Sequence, residues 1–309
     1  MARDCRVNDT SGASFRDNGR LLRSARNMIL LCFTVMCSFA VLLGSAEAAR
    51  IVSLYPGHTD NIIALGLGDS IVAVSQNDDL DSAPGASRLP SRVTPEAILA
   101  LKPDIVFTRS LNERADPNRA IILERAGVAV YTIDPPSWNG FEDYLALLSE
   151  ILGLDPESAK RRFREIIEGV RDEAAQHDGV RPRVFLEATS KELRTCAPDS
   201  WAASLIELAG GVNAASGAKP LRDGSPLASW GVERTIETVK SGLDIYLVQQ
   251  GAMNAATMED ITRRPWSDAL KSVRIEFIPE SYLSRPSLLG IEKGSAVLLD
   301  MFYGSEKDG

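Results

Sequence analysis

The sequence is poor in the residues that redox and metal centres need. Its 309 residues include four Cys and two His. Cys5, Cys32 and Cys37 fall within the first 48 residues, so Cys196 stands alone beyond them and no disulfide can form there. Carriage of a bare metal ion needs several His and carboxylate ligands converging, and the only His are His58 and His177, far apart in the chain. There is no Gly-x-Ser-x-Gly elbow, no Gly-Lys-Ser/Thr phosphate loop and no His-Glu-x-x-His helix. Acid–base chemistry is left to carboxylates, so no enzyme and no resident cofactor is expected, an exported hydrolase being the weakest alternative. A formal net charge of -8 removes nucleic-acid binding, whose footprint is basic.

Hydrophobic content of 44% and charged content of 25% are those of a soluble globular protein, and the length allows two α/β domains. The first 27 residues carry six Arg and no Lys. An apolar run from Met28 to Gly44 follows, then Ala46-Glu47-Ala48. Basic region, apolar core and small-x-small end predict a secretory signal over residues 1–48, cut after Ala48. An uncleaved membrane anchor is the alternative. Cleavage removes six Arg and four acids, leaving 28 basic and 38 acidic residues, net -10.

The rest alternates short apolar strands with helices, which predicts mostly parallel sheets flanked by helices. Strands are expected at Arg50 to Leu54, Ser70 to Ser75, Ile105 to Thr108 and Val128 to Ile133. Between them lie a helix from Asp60, capped by Thr59 or His58, a polar loop from Gln76 to Pro90, and a helix capped by Thr94 with Pro95 at its first position. After an amphipathic helix from Asn139 to Leu152, a second helix starts at Asp155 and runs to about Gln176. Its narrow apolar stripe between charged faces suits a helix that packs lightly and bridges two bodies. The pattern then restarts, with strands at Val184 to Ala188, Ile245 to Val248 and Ile275 to Ile278. Helices are expected at Ser200 to Ala209, Thr257 to Leu270 and Ser287 to Phe302. The domains expected are a leader (1–48), an N-terminal α/β lobe (49–154), a bridging helix (155–178) and a C-terminal α/β lobe (179–309).

One phrase occurs twice. Glu96 and Glu233 each stand in the first turn of a short helix that breaks before an Asp-Ile entry into an apolar strand, at Asp104-Ile105 and Asp244-Ile245. The helix dipole alone favours such an acid. Paired in equivalent slots of two half-chains, the carboxylates also suit docking onto a partner with two matching arginines.

Arg50-Ile51-Val52-Ser53-Leu54 leads through a proline turn and Thr59-Asp60 to Ala64-Leu65-Gly66-Leu67-Gly68-Asp69. Three later stretches accompany it: Glu96 through Phe107, Leu205 through Asn213, and Pro265-Trp266 leading into Val273 to Pro279. Together, over residues 50 to 303, they resemble the ABC-importer solute-binding proteins with a helical backbone. That resemblance implies two α/β lobes joined by one long helix and a cleft between them that takes a ferric siderophore, haem or a cobalamin-type corrinoid. It also implies a glutamate on each lobe, here Glu96 and Glu233, that meets arginines of the permease. The family's usual Thr-Glu is Thr59-Asp60 here, with the cap expected to survive.

Ligands of open α/β sheets sit beyond the carboxyl ends of the strands. That rule selects Tyr55, His58, Gln76 and Arg109 in the first lobe and Gln249, Tyr282 and Arg285 in the second, with Trp230 at the rim. Arg109 and Arg285 suit an anionic chelate, and Tyr55, Trp230 and Tyr282 suit stacking on a macrocycle. His58 is read either as an axial ligand to a haem or corrinoid or as a helix cap. The reading is a monomeric periplasmic carrier of a metal chelate whose partners are an inner-membrane permease and ATPase. A sensor presenting the same ligand to a receptor is the alternative.

Overall fold

The computed structural model describes residues 48–78, 83, 85–177 and 181–304. The expected leader, apart from Ala48, lies outside the described residues, as do the acidic-loop residues Asp79, Leu80 and Asp81 and the tail beyond Gly304. The chain divides into two units, Met1–Ala48 and Ala49–Gly309, and the sheets of the described residues lie in the second.

Short strands, β-branched except in β3, form the first sheet: β1 (Ile51–Ser53), β2 (Ile71–Ser75), β3 (Ser87–Leu89), β4 (Ile105–Thr108) and β5 (Ala129–Thr132). Their order is β3-β2-β1-β4-β5 and every pairing is parallel. β3 lies within the stretch expected to be loop. It is a three-residue edge strand with two exposed positions, so it has no apolar alternation to betray it. The second part opens with β6 (Arg183–Glu187), β7 (Thr195–Cys196), β8 (Val212–Asn213), β9 (Lys219–Pro220) and β10 (Leu227–Ser229), and ends with β11 (Ile245–Gln250) and β12 (Arg274–Pro279). β12-β11-β6-β8 is a parallel sheet, and β7-β10-β9 is a small antiparallel one that sequence periodicity did not reveal.

The two parallel sheets repeat one design. In each, the first strand sits between the second and the strand entered through Asp-Ile, β4 in one sheet and β11 in the other. In each, the aspartate before that strand clamps the arginine at the first. Asp104 Oδ2 accepts the Arg50 N–H at 2.8 Å, and Asp244 Oδ2 accepts the Arg183 N–H at 2.7 Å. The aspartate N–H donates back to the arginine carbonyl at 2.9 and 3.1 Å. The unequal Glu-to-Asp spacing has a local cause: helix Pro95–Leu99 has 5 residues, whereas helix Val232–Lys240 has 9, one turn more.

Helix Pro156–Ala175 joins the lobes. Pro156 starts it where a missing N–H costs nothing, and the Asp155 carboxylate accepts the Glu157 and Ser158 N–H groups at 3.2 and 3.1 Å. It packs against helix Phe141–Ile151, helix Trp201–Leu208 and the closing helix Leu288–Tyr303. The expectation of light packing fails at Phe163. This ring lies 4.8 Å from Phe141 and 6.0 Å from Trp138, and both of those meet Trp201 of the second lobe at 4.8 and 4.7 Å. The aromatic knot makes one continuous core across the junction. Arg162 adds a polar tie, donating to Glu292 at 2.8 Å and to the Ala64 carbonyl at 2.5 Å.

Two helix boundaries differ from expectation. The first helix begins at Pro56, before His58 and Thr59, because the ring presets the helical φ. The helix expected from Thr257 to Leu270 divides into Met258–Thr262 and a turn over Ser267–Leu270, with Pro265 between them unable to continue an α-helix. Helices Ser110–Ala115 and Glu280–Leu283 were not foreseen.

Candidate functional site

Tyr55 follows β1 and Arg109 follows β4, on adjacent strands. The Arg109 guanidinium carbon lies 4.7 Å from the Tyr55 ring centre, a cation–π stack. The ring folds over Gly57, where a Cβ would come within 2.5 Å of Tyr55 Cε1. Burial pushes the Tyr55 hydroxyl up to about 12, against the opposing pull of Arg109 and Arg285. The segment carrying Arg109 is tied down on both sides. Asn112 donates to the Leu54 carbonyl at 2.9 Å, and Asp134 accepts from Ser110 N–H and O–H at 2.9 and 2.7 Å. Arg119 and Thr108 close on Glu113 at 2.7 and 2.8 Å, which fixes the end of helix Ser110–Ala115.

The second lobe brings Arg285 and Glu280 into the electrostatic surroundings of Tyr55. Arg285 Nη1 lies 3.2 Å from Asp60 Oδ2, an ion pair between lobes. The cap expected from Thr59 or His58 is not made, because the helix starts at Pro56 and has no side-chain cap. Asp60 is 4% exposed and faces the other lobe, while Thr59 donates to Ser53 Oγ at 2.8 Å. Asp78 is buried nearby, and burial raises its carboxyl to about 6. In the sequence Asp60 shows only as a helix start and half of the Thr59-Asp60 motif, and Asp78 only as part of the polar loop from Gln76; their burial carries no local signal.

The other expected site residues divide into three groups. His58 is placed inside the first lobe and not at the cleft. It is 0% exposed, its Nε2–H donates to the Ile133 carbonyl at 3.0 Å, and its Nδ1 accepts from the Tyr144 hydroxyl at 2.9 Å. Both nitrogens are thus satisfied, which leaves none for a metal, and burial lowers the ring to about 4. Gln249 is likewise 1% exposed and accepts from the Ser284 hydroxyl. Gln76 is exposed and donates to Ser91 at 2.9 Å. Tyr282 is half-buried under the Lys293 ammonium, 5.5 Å from the ring centre. Trp230 packs on Phe185 at 6.2 Å with Arg234 above it at 5.4 Å. Its indole N–H is buried and has no partner among the described residues. The structure therefore brings Tyr55, Arg109 and Arg285 together, packs the buried His58 ring edge-on against Tyr55 at 5.0 Å, and leaves Gln76, Trp230, Gln249 and Tyr282 in other surroundings.

In the second lobe, Glu187 at the end of β6 is 0% exposed and pairs with Arg264 through both oxygens, at 2.6 and 2.8 Å. The Tyr246 hydroxyl and Asn254 also donate to it. This network is saturated and anchors the turn after β11. Glu96 and Glu233 are exposed, and neither meets a basic side chain among the described residues. Among those residues no three His, Cys, Asp or Glu converge on a point, and no helix is long and apolar enough to cross a membrane.

The structure thus gives two parallel-sheet lobes joined by a helix, with a stacked Tyr–Arg pair beyond the strand ends of the first. Residues 51–273 match the family described as periplasmic binding protein. The chain belongs to that family. Its relatives include the vitamin B12-binding protein of Vibrio vulnificus, 26% identical over 271 residues that cover 84% of this chain and 93% of that protein. The vitamin B12-binding protein of Vibrio cholerae is 28% identical over 193 residues, covering 60% and 67%. Among solved structures, the periplasmic haem-binding protein of Vibrio cholerae superposes with a TM-score of 0.66 at 18% identity, covering 83% of this chain and all of that one. A possible iron-binding periplasmic protein of Staphylococcus epidermidis gives 0.64 at 24%, covering 82% and 98%. This periplasmic binding protein is accordingly a carrier and not an enzyme, and its two-lobed α/β fold is that of the solved structures.

Proposed function

We propose that the protein captures a metal chelate between its lobes and delivers it to an ABC permease and ATPase in the inner membrane. The carrying observation is the Tyr55–Arg109 stack at the ends of β1 and β4, with Arg285 of the opposite lobe among the charges that act on Tyr55. A flat face beside two guanidinium groups suits a macrocyclic chelate with anionic side groups. A cobalamin-type corrinoid is the first candidate, because the curated relatives are vitamin B12-binding proteins. Haem and ferric siderophores are the competing ligands. The protein acts as a monomer in the periplasm after removal of residues 1–48, and Glu96 and Glu233 dock it on the permease.

The absorption spectrum of protein purified from its native host, followed by titration with cyanocobalamin, haemin and a ferric siderophore, tests this reading. Corrin bands and saturable cyanocobalamin binding are expected. A Soret band transfers the assignment to haem, and failure to bind any of the three overturns the proposal.

A further inference from the structure

The charges that act on Tyr55 balance, with Arg109 and Arg285 standing against Asp60 and Glu280. Asp60 and Arg285 already meet each other across the lobes, at 3.2 Å. The other two do not meet. The Arg109 guanidinium lies on the Tyr55 ring, and its side-chain contact with Asn112 Oδ1 is a long one, 3.5 Å from Nε. Glu280 accepts no hydrogen bond and forms no ion pair among the described residues. Its place follows from the strands. Gln250 and Pro279 pair at the carboxyl ends of β11 and β12, and Glu280 is the next residue along. It folds over Gly251, where a Cβ would come within 2.6 Å of Glu280 Cβ and 3.2 Å of its carboxylate carbon. A glycine at that position leaves the room the carboxylate occupies.

We propose that Glu280 sets the ligand class of the cleft, admitting a chelate whose rim carries carboxamides and rejecting one whose rim carries carboxylates. The proposal rests on capture between the lobes, as proposed above. A carboxylate only accepts hydrogen bonds and a guanidinium only donates them. A primary amide does both, so amide arms give an N–H to Glu280 and a carbonyl to Arg109. A ligand carboxylate satisfies Arg109 alone and meets Glu280 as a like charge. Its rejection then comes from repulsion and not from a missing contact. Arg285 is engaged by Asp60, which leaves Arg109 to offset Glu280. Corrin rings carry carboxamide arms and haem carries propionates, so this charge pattern selects a corrinoid whatever the central metal.

The test measures Kd by isothermal titration calorimetry on the full exported protein. The ligands are cyanocobalamin, its separated monocarboxylic acids, in which a single rim amide is hydrolysed, and haemin. In the wild type, at least one of the acids is expected to bind about tenfold or more weakly than cyanocobalamin. Glu280→Gln keeps an acceptor for the amide and removes the charge. In that variant the same acid is expected to come within about threefold of cyanocobalamin, whose own affinity changes little. The readout is a ratio on one preparation, so partial unfolding of the variant does not mimic it. Glu259→Gln, at an exposed acid of the same lobe, is expected to keep the wild-type ratio. Equal wild-type affinity for cyanocobalamin and every acid, or a penalty that persists in Glu280→Gln, overturns this inference and leaves chelate capture standing. So does tighter binding of haemin than of cyanocobalamin by the wild type. A wild type that binds none of these ligands, nor a ferric siderophore, overturns both.

Discussion

Asn61 holds Leu288 across the lobes: its side-chain oxygen accepts the Leu288 N–H at 3.0 Å, and its amide nitrogen donates to the Pro286 carbonyl at 3.1 Å. The first helix is thereby fastened to the start of the last, 227 positions away. All of these groups are buried, so Asn61→Ala strands a donor and an acceptor, each costing about 1–3 kcal/mol. The urea midpoint is expected to fall with an unchanged slope, and Asn61→Asp, which still accepts from Leu288, is expected to fall less. An unchanged midpoint in the Ala variant would show that the lobes do not depend on this link.

His58 makes the fold sensitive to acid. Burial lowers its pKa from 6.5 to about 4, so folding favours the neutral ring. Above pH 6.5 both states are neutral and the contribution is complete. Between 6.5 and 4 the unfolded chain takes up a proton that the folded chain refuses, and about 3 kcal/mol is lost. In His58→Gln that loss disappears, although the variant starts less stable at pH 7. Chemical denaturation across this window checks it, and parallel pH profiles for variant and wild type would refute it.

Asp78 works in the opposite direction. Burial raises its carboxyl from 3.8 to about 6, so folding favours the protonated form. Its contribution is present below pH 3.8 and is lost as pH rises through 6, leaving a cost on the order of 2–3 kcal/mol at pH 7. Asp78→Asn is therefore expected to be more stable than the wild type at pH 7 and nearly equal to it at pH 4. Because the windows of His58 and Asp78 overlap, the wild-type profile is flatter than either single variant's. A stability gain in Asp78→Asn that does not vary with pH would contradict the argument.

The parts legible in sequence were those written in local patterns. Thr94 and Pro95, Asp155 and Pro156, and Ser287 each announced a helix start, and the caps are there. The repeated Glu and Asp-Ile phrase marked equivalent places in the two lobes, where Asp104 and Asp244 hold Arg50 and Arg183 in the same way. Side-chain direction was not legible. His58 lies three residues beyond Tyr55, and the rule of strand ends selects both. Starting the helix at Pro56 instead turns His58 into the core, and its partners Ile133 and Tyr144 are more than seventy positions away. Pairs such as Asp60–Arg285 carry no local signal at all.

Tyr55 and Arg109 are expected to govern chelate affinity without governing stability. Arg109→Leu removes a cation from a half-buried site, a loss of about 1.5–3 kcal/mol if it donates to an anionic ligand group, or roughly ten- to a hundredfold in Kd. Gly57→Ala probes the same site through shape. Its Cβ would meet the Tyr55 ring at 2.5 Å and push it off its seat under Arg109. Arg109→Leu should melt near the wild-type temperature, Gly57→Ala lower because its methyl overpacks a buried position, and both should bind the chelate more weakly. Wild-type affinity in both would place the ligand elsewhere in the cleft.

Glu96 and Glu233 should separate capture from delivery. Each is exposed in a helix first turn, where the dipole contribution to stability is only about 0.3–1 kcal/mol, so their removal leaves the fold intact. Neither touches the Tyr55–Arg109 stack, so chelate affinity should not move. Uptake by cells should be abolished in the double Glu96→Ala, Glu233→Ala variant and reduced in each single one. If uptake persists in the double variant, the permease grips other residues. Glu237, one turn beyond Glu233 and also exposed, is then the next position to change, because the longer second helix presents both acids.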